Sequence, residues 1–198
     1  MPICHSKEVV FVHIPKTGGT SITHHEPHLW SGQQHMPLTQ LSTLHPTEFN
    51  TYTKVCMVRN PWDRFVSSFE FAKAEKSHWG AHKFTHKDHN VIKNLSFKET
   101  VNALYKDFTV FKNHGWATQY SVICHKQSNT CLVDYIFKYE TCKEDDIFNS
   151  FFPYYKNIHL NKTNSRRHTD YHDYYTKTTR DKIAELYWQD IVTFDYDF

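Results

Sequence analysis

The sequence has no large excess of charge of either sign. Its 23 basic and 21 acidic residues give a formal net charge of +2, which excludes binding to nucleic acid or to a membrane surface through bulk charge. Any anion site must therefore be local. We expect neither nucleic acid nor a membrane among the partners.

Long apolar runs are also missing. No stretch of the sequence approaches the roughly 18 apolar residues of a membrane-spanning helix. The apolar run at residues 8–12 begins too early to follow a signal peptide. We therefore expect a cytoplasmic protein.

Cysteine is scarce and lacks a recognisable pattern. The five cysteines are odd in number and form no Cys-x-x-Cys pair. This is typical of a reduced, intracellular chain rather than of a disulfide framework. A bridge between Cys124 and Cys131 remains the alternative if the protein is secreted.

A metal motif is missing from the histidine-rich part of the chain. His82, His86 and His89 have a spacing that could place them on one face of a helix. No His-Glu-x-x-His sequence accompanies them. We expect no metal site, and we interpret residues 78–95 as an exposed loop.

Neither a repeat nor a linker divides the 198 residues, a length that suits one domain with one core. We therefore expect a single domain over residues 1–198. Buried strands are predicted for three apolar runs, residues 9–14, 54–59 and 132–139. Helices are predicted from Pro61 and at residues 96–107, 140–149 and 178–188. This alternation predicts an α/β layer fold with a mainly parallel sheet.

The helix after the second strand has a clear start signal. Asn60 can cap the helix, and Pro61 suits its first position. The spacing of four apolar residues defines a core face: Trp62, Phe65, Val66 and Phe69. Three polar residues share another face, which we expect to be free for a ligand: Arg64, Ser67 and Ser68.

Glycine is scarce, and two of the five glycines are adjacent. They lie in a run that follows the first predicted strand: Lys16, Thr17, Gly18, Gly19, Thr20 and Ser21. Such a loop turns backbone N–H groups, an ammonium group and hydroxyls toward one spot, which suits a phosphate or sulfate. A plain strand-to-helix turn is the alternative. The motif Gly-x4-Gly-Lys-[Ser/Thr] is absent because Lys16 precedes the glycines, so an ordinary ATPase loop is disfavoured.

Arginine is equally scarce, and Arg59 ends the second predicted strand. Ligands of open α/β sheets bind at the carboxyl ends of strands, and a guanidinium group can bind phosphate through two parallel hydrogen bonds. The hydroxyl of Ser67, two helical turns further on, can reach the same anion. We therefore predict a second anion site at Arg59 and Ser67. For Arg64, a surface ion pair with Asp63 or Glu70 is the alternative.

Together the two motifs resemble those of sulfotransferases that use 3′-phosphoadenosine 5′-phosphosulfate (PAPS), especially the carbohydrate and heparan-sulfate 2-O-type branch. The resemblance lies in residues 14–21 and residues 58–69, with weaker likeness at 118–120, 133–140, 161–165 and 190–196. It implies a P-loop-like three-layer fold with a mainly parallel central sheet flanked by helices. It also implies transfer of a sulfuryl group from PAPS to a hydroxyl acceptor, a carbohydrate in this branch.

The resemblance further implies roles for individual residues. The 5′-phosphosulfate would be held by Lys16, Thr17, Gly18, Gly19, Thr20 and Ser21. Arg59 and Ser67 would hold the 3′-phosphate. Lys16 would also stabilise the charge on the oxygen that is left behind, and no metal is required.

The catalytic base that the resemblance implies is His35, which is partly neutral at pH 7. Heparan-type relatives often carry a second histidine just upstream, where this chain has Gln33. Other candidates for the base remain open: His13, His24, His25 and His28.

Further alternatives concern the C-terminal third and the function. Arg166 and Arg167 could close over the nucleotide or be solvated. We interpret Tyr171, Tyr174 and Tyr175 as a hydrophobic anchor for the C-terminal segment rather than a sugar platform. The competing functions are a nucleotide kinase-like phosphoryl transferase, which needs a loop that organises Mg²⁺, and a non-enzymatic module that binds glycan or nucleic acid.

Overall fold

The computed structural model of the chain describes residues 2–25, 29–32, 35–74, 77–79, 82–125, 130–157 and 170–198. The chain forms two compact units, Met1–Arg59 with Ala117–Leu160 and Asn60–Trp116 with Asn161–Phe198. One domain over residues 1–198 stays a prediction.

The strands, in chain order, are β1 (Ile3–Cys4), β2 (Val9–Val12), β3 (Thr53–Val58), β4 (Ser77–Trp79), β5 (His82–Phe84) and β6 (Tyr135–Lys138). The α-helices are α1 (Gly19–His25), α2 (Leu38–Leu44), α3 (Pro46–Thr51), α4 (Pro61–Lys73), α5 (His89–Ile92), α6 (Phe97–Lys106), α7 (Tyr120–Ile123), α8 (Asp146–Phe151), α9 (Lys177–Leu186) and α10 (Trp188–Phe194). Within the described ranges, no helix has the length and apolar character required to cross a membrane.

A four-stranded sheet forms the centre of the first unit. Its order is β1-β2-β3-β6, in which β1 is antiparallel to β2 whereas β2, β3 and β6 run parallel. All four residues of β2 are buried, as is typical of parallel sheets. The prediction of an α/β fold with a mainly parallel sheet is confirmed.

The strands predicted at residues 9–14 and 132–139 are longer than the observed β2 and β6. The extra residues form backbone hydrogen bonds outside the sheet. After β2, the N–H of Ile14 turns back to the carbonyl of Val12. Before β6, the N–H of Leu132 bonds to the carbonyl of Ile123. The middle strand, β3, lies within one residue of its predicted bounds.

Aromatic side chains dominate the core of the first unit. The buried rings there are Phe11, Phe137, Phe148, Phe152 and Tyr155. The helix predicted at residues 140–149 is instead a 3-10 turn, Cys142–Glu144, followed by α8. The interruption arises because the Asp145 carboxylate accepts the N–H of Phe148 at 2.9 Å and so starts a new helix.

A disulfide bond joins Cys124 and Cys131 in this unit. The prediction of a reduced chain is therefore wrong at this pair, and the alternative is the one observed. Cys4, Cys56 and Cys142 are free and buried. Burial raises the pKa of Cys56, and burial with a nearby carboxylate raises the pKa of Cys142 to about 11. Neither thiol is a nucleophile at neutral pH, because the thiolate is the reactive form.

In the second unit, α4 begins where the sequence predicts. The Asn60 side chain accepts hydrogen bonds from the N–H groups of Trp62 and Asp63, and Pro61 holds the first helical position. The apolar face of α4 contributes to a core that also draws on α6 and α9. Its buried members include Trp62, Phe65, Phe69, Val101, Leu104, Ile183 and Tyr187.

Two of the three residues on the polar face of α4, Arg64 and Ser68, are buried, so the expectation that this face is free for a ligand is wrong for these two, whereas Ser67 is half-buried. Arg64 is 2% exposed and donates from Nη2 to the carbonyl of Gly115 at 3.1 Å. The Ser68 hydroxyl donates to the same oxygen at 3.3 Å. His114 lies in the 3-10 turn His114–Trp116, next to Gly115. Its burial, together with the positive charges of Lys87 and Arg64, lowers its pKa.

The interpretation of residues 78–95 as an exposed loop is also wrong. The segment contains parts of the β4–β5 hairpin and α5, and it buries His86, Asp88 and His89. The Asp88 carboxylate accepts hydrogen bonds from the N–H of Lys112 at 2.9 Å and from the indole of Trp116 at 3.0 Å. Buried polar groups need such partners, and these bonds anchor the segment.

The C-terminal elements follow the prediction with one break. Residues 96–107 correspond to α6, and the helix predicted at 178–188 corresponds to α9. The buried Tyr187 leaves helical geometry, and the second helix that follows it, α10, is not predicted from the sequence. The hydroxyl of Tyr174 donates to Glu70 at 3.0 Å, and that of Tyr175 donates to the carbonyl of Trp62 at 2.9 Å. Both rings pack against the core, which confirms the interpretation as a hydrophobic anchor.

Candidate functional site

The glycine loop lies at the carboxyl end of β2, in the first unit. Gly18 has a φ of +88° and Lys16 a φ of +68°. Glycine adopts this left-handed region without strain, whereas Lys16 does so at a cost that the surrounding contacts must offset. Helix α1 then begins at Gly19.

The two glycines are required by rings of the protein itself. A Cβ on Gly18 would lie 2.8 Å from Cε2 of Tyr139. A Cβ on Gly19 would lie 2.6 Å from Nε2 of His13 and 2.8 Å from Cε1 of Phe11. The sequence predicts that these glycines let the backbone approach a bound anion closely. In the structure they also let the loop backbone pack against the rings of Tyr139, His13 and Phe11.

The loop residues differ in what they present to a ligand. Thr17 is fully buried, and its hydroxyl donates to the carbonyl of Ile14 at 2.9 Å. The N–H of Ser21 donates to the carbonyl of Gly18 at 3.0 Å. Lys16, Gly18, Thr20 and Ser21 are half-buried, whereas Thr17 and Gly19 are buried.

Arg59 is brought to the loop. It directly follows β3, which is paired in parallel with β2, and its Nη1 donates to the carbonyl of Lys16 at 3.1 Å. The guanidinium group lies 4.6 Å from the ring centre of Tyr139. The two sequence motifs thus meet at the carboxyl ends of neighbouring strands. Ser67 lies on α4, in the second unit, and is half-buried.

His35 is oriented by a backbone carbonyl. Its Nδ1 lies 3.0 Å from the carbonyl oxygen of His13, and the two imidazole rings have centres 4.4 Å apart. Because a carbonyl oxygen only accepts hydrogen bonds, Nδ1 must be the donor. The neutral ring therefore carries its lone pair on Nε2, which is the atom that can take a proton.

The other histidines considered for the base are less well suited. The His13 ring is 3% exposed and packed against Gly19. His24 and His25 are exposed at the end of α1, where His25 stacks on Tyr154. Three predictions fall outside the described residues: His28, the segment 161–165 and the pair Arg166 and Arg167.

Two residues of this site carry no role in the sequence analysis. Gln119 hydrogen-bonds to the backbone of Arg59, and Tyr139 contacts both Arg59 and Gly18. The only sequence signal for them is the weaker family likeness at residues 118–120 and 133–140. Among the described residues, no group of three or more His, Cys, Asp or Glu side chains is arranged to hold a metal ion.

Comparison with known proteins identifies the family. A family model described as the sulfotransferase family matches residues 1–197. No curated protein and no solved structure shows significant similarity to the chain. The mainly parallel sheet is consistent with the P-loop-like fold of this family. The chain therefore belongs to the sulfotransferase family and is a PAPS-dependent sulfotransferase.

Proposed function

We propose that this enzyme transfers the sulfuryl group of PAPS to a hydroxyl of a carbohydrate. The observation that carries the proposal is the hydrogen bond from Arg59 Nη1 to the Lys16 carbonyl, which joins the two anion motifs at one edge of the sheet. Separate 5′ and 3′ anionic groups are what PAPS offers. The carbohydrate acceptor rests on the likeness of both motifs to the carbohydrate and heparan-sulfate 2-O-type branch.

The half-buried residues of the loop fit the 5′-phosphosulfate. Lys16, Thr20 and Ser21 carry an ammonium group and two hydroxyls, and anions bind to such donors. Thr17 would contribute through its backbone N–H, because its hydroxyl is bonded to Ile14. Gly18 and Gly19 would contribute backbone alone.

Arg59 fits the 3′-phosphate. A guanidinium group has five N–H donors in a planar fork, which can bind a phosphate through two parallel hydrogen bonds. The guanidinium carbon of Arg59 lies 4.6 Å from the ring centre of Tyr139, a cation–π contact that helps to hold this group at the loop. The role of Ser67 at the 3′-phosphate stays a prediction of the family resemblance.

The proposed reaction divides between a base and a stabilising cation. The bound donor supplies the sulfuryl group, whose bond to the 5′-phosphate oxygen breaks as a bond to the acceptor oxygen forms. His35 Nε2 takes the proton of the acceptor hydroxyl. Lys16 stabilises the negative charge that collects on the departing phosphate oxygen. This scheme requires no metal.

The rival functions are less well supported. A phosphoryl transferase would carry its lysine after the glycines and an acidic group for Mg²⁺, whereas Lys16 precedes Gly18 and Gly19. A glycan or nucleic-acid binding module would need neither a phosphosulfate loop nor a neighbouring Arg59. The family match favours transfer over both.

Domain organisation and compartment belong to the same proposal. A single sulfotransferase domain over residues 1–198 is supported by a family match over residues 1–197. A cytoplasmic location stays a prediction, and the disulfide between Cys124 and Cys131 counts against it because disulfides persist mainly in oxidising compartments. Neither nucleic acid nor a membrane is a proposed partner.

The test is a transfer assay with PAPS that carries labelled sulfate. Acceptors are polysaccharides, simple sugars, phenols and alkyl alcohols, and the Lys16→Ala variant is the matched control for background transfer. We expect label on a polysaccharide with the wild-type chain and a large loss with the variant. Label on phenols alone would refute the carbohydrate acceptor, and preferred binding of ATP with Mg²⁺ would favour the phosphoryl transferase.

A further inference from the structure

Gln119 makes a two-point contact with the backbone of Arg59. The Gln119 side chain is fully buried directly before α7. Its Oε1 accepts the N–H of Arg59 at 2.8 Å, and its Nε2 donates to the carbonyl of Arg59 at 2.8 Å. The amide thus pairs with Arg59 much as a residue of a neighbouring strand would.

The contact extends the hydrogen bonding of the sheet by one residue beyond the end of β3. Arg59 is the first residue beyond β3, and a residue at such a strand end gains freedom of backbone rotation unless its polar groups are bonded. The Gln119 amide bonds both of them. Fixing the backbone of Arg59 fixes the direction in which its side chain leaves the sheet.

The side chain of Arg59 then connects Gln119 to the glycine loop. Its Nη1 donates to the carbonyl of Lys16, and its guanidinium group makes a cation–π contact with the ring of Tyr139. That ring is in turn so close to Gly18 that a Cβ there would lie 2.8 Å away. A continuous set of contacts therefore runs from Gln119 through Arg59 to the loop, all within the first unit.

The chemistry of the contact explains why this position holds an amide. Burying an amide costs free energy unless both of its polar groups are hydrogen-bonded. A glutamate would keep the acceptor for the Arg59 N–H but lose the donor for the Arg59 carbonyl. A methionine, of similar length, would lose both.

We propose that Gln119 is a positioning residue for the donor nucleotide. It sets the backbone of Arg59, and it affects nucleotide binding through Arg59 rather than by touching the nucleotide. This inference rests on the proposed function, because it requires Arg59 to contact a phosphate of the donor.

The test is a double-mutant cycle read by calorimetry with 3′-phosphoadenosine 5′-phosphate as the probe. The four proteins are the full-length wild-type chain, Gln119→Met, Arg59→Ala and the double variant. We expect Gln119→Met to weaken binding roughly tenfold. In the Arg59→Ala background the same change should have no further effect, since the group it positions has gone.

Two further variants separate positioning from general stability. Gln119→Glu keeps one of the two hydrogen bonds and should bind more tightly than Gln119→Met. Asn149→Leu removes another side-chain amide of the first unit, which donates to the carbonyl of Lys143. It should bind the nucleotide as the wild-type chain does. If Gln119→Met does not fold, the cycle is run with Gln119→Glu in its place.

The outcomes distinguish this inference from the proposed function. A wild-type chain that does not bind the nucleotide refutes the proposed function. A wild-type chain that binds, together with Gln119 variants of unchanged affinity, overturns the positioning role alone. Equal losses in the Arg59 and Arg59→Ala backgrounds also overturn it, because they mean that Gln119 acts on the fold in general.

Discussion

Replacing Gly19 with alanine tests the packing of the glycine loop. The new Cβ would lie 2.6 Å from Nε2 of His13 and 2.8 Å from Cε1 of Phe11. Both rings are buried, His13 at 3% and Phe11 at 0% exposure, so neither can turn into solvent. Overpacking of this kind costs about 1–3 kcal/mol. Approaches this close favour the upper part of that range, about 2–3 kcal/mol. Since alanine favours a helix over glycine by about 1 kcal/mol, we expect the free energy of unfolding to fall by about 1–2 kcal/mol.

The assay is denaturation of the full-length chain in urea, with Thr20→Ala as the control one residue further along the helix. A cycle with His13→Ala identifies the cause, because removing the imidazole makes room for the new Cβ. In that background Gly19→Ala should cost less than half as much. An equal cost in both backgrounds would refute the steric reasoning, and no cost in either would mean that the loop does not pack on His13.

Four other changes test the structure and the proposed chemistry. Cys124→Ser with Cys131→Ser should lower the free energy of unfolding by about 2.5 kcal/mol, from closure of a loop of about eight residues; five thiols rather than three in the unfolded, unreduced wild-type chain would contradict the disulfide. The pKa of His114 lies below its ordinary value of 6.5 in the folded chain, so the unfolded chain binds more protons in mild acid. The free energy of unfolding should therefore fall as the pH drops below about 6.5. His114→Gln should show a smaller fall in the urea midpoint between pH 7 and pH 5 than the wild-type chain does. Lys16→Ala should lower turnover by about 10²–10³ with acceptor KM little changed, and a loss confined to acceptor KM would limit Lys16 to positioning. His35→Gln should lower turnover by about 10²–10⁴ with nucleotide affinity intact; ¹⁵N NMR of the wild-type imidazole should show the proton on Nδ1, and a proton on Nε2 would exclude that nitrogen as the base.

The sequence predicts best where the signal is local. The start of α4 depends on Asn60 and Pro61, which adjoin the helix they begin, and the structure has the helix in that place. The three parallel strands of the central sheet are likewise found, because a buried parallel strand is a short apolar run, whereas the two-residue antiparallel strand β1 is not predicted. The loop from Lys16 to Ser21 and the position of Arg59 are motifs of consecutive residues, and they led to the family that the comparison confirms.

Prediction fails where a polar residue is buried by contacts that are distant in sequence. Composition places Arg64 and Asp88 on the surface, since charged residues are rarely buried. In the structure Arg64 bonds to Gly115, and Asp88 bonds to Lys112 and to residues near it. These partners lie 51 and 24 residues away, and nothing in the local pattern indicates that they meet.

The sequence by itself therefore determined the α/β class, the glycine loop, the arginine at the end of β3 and the family to which the chain belongs. Only the tertiary structure decided what holds these parts in place. Gln119 meets Arg59 across 60 residues, and the carbonyl of His13 orients His35 across 22. The physical reason is that hydrogen bonds and steric contacts depend on which strands are neighbours and in what register. A periodic pattern of apolar residues indicates that a strand exists, but it does not specify which side chain will lie beside its end.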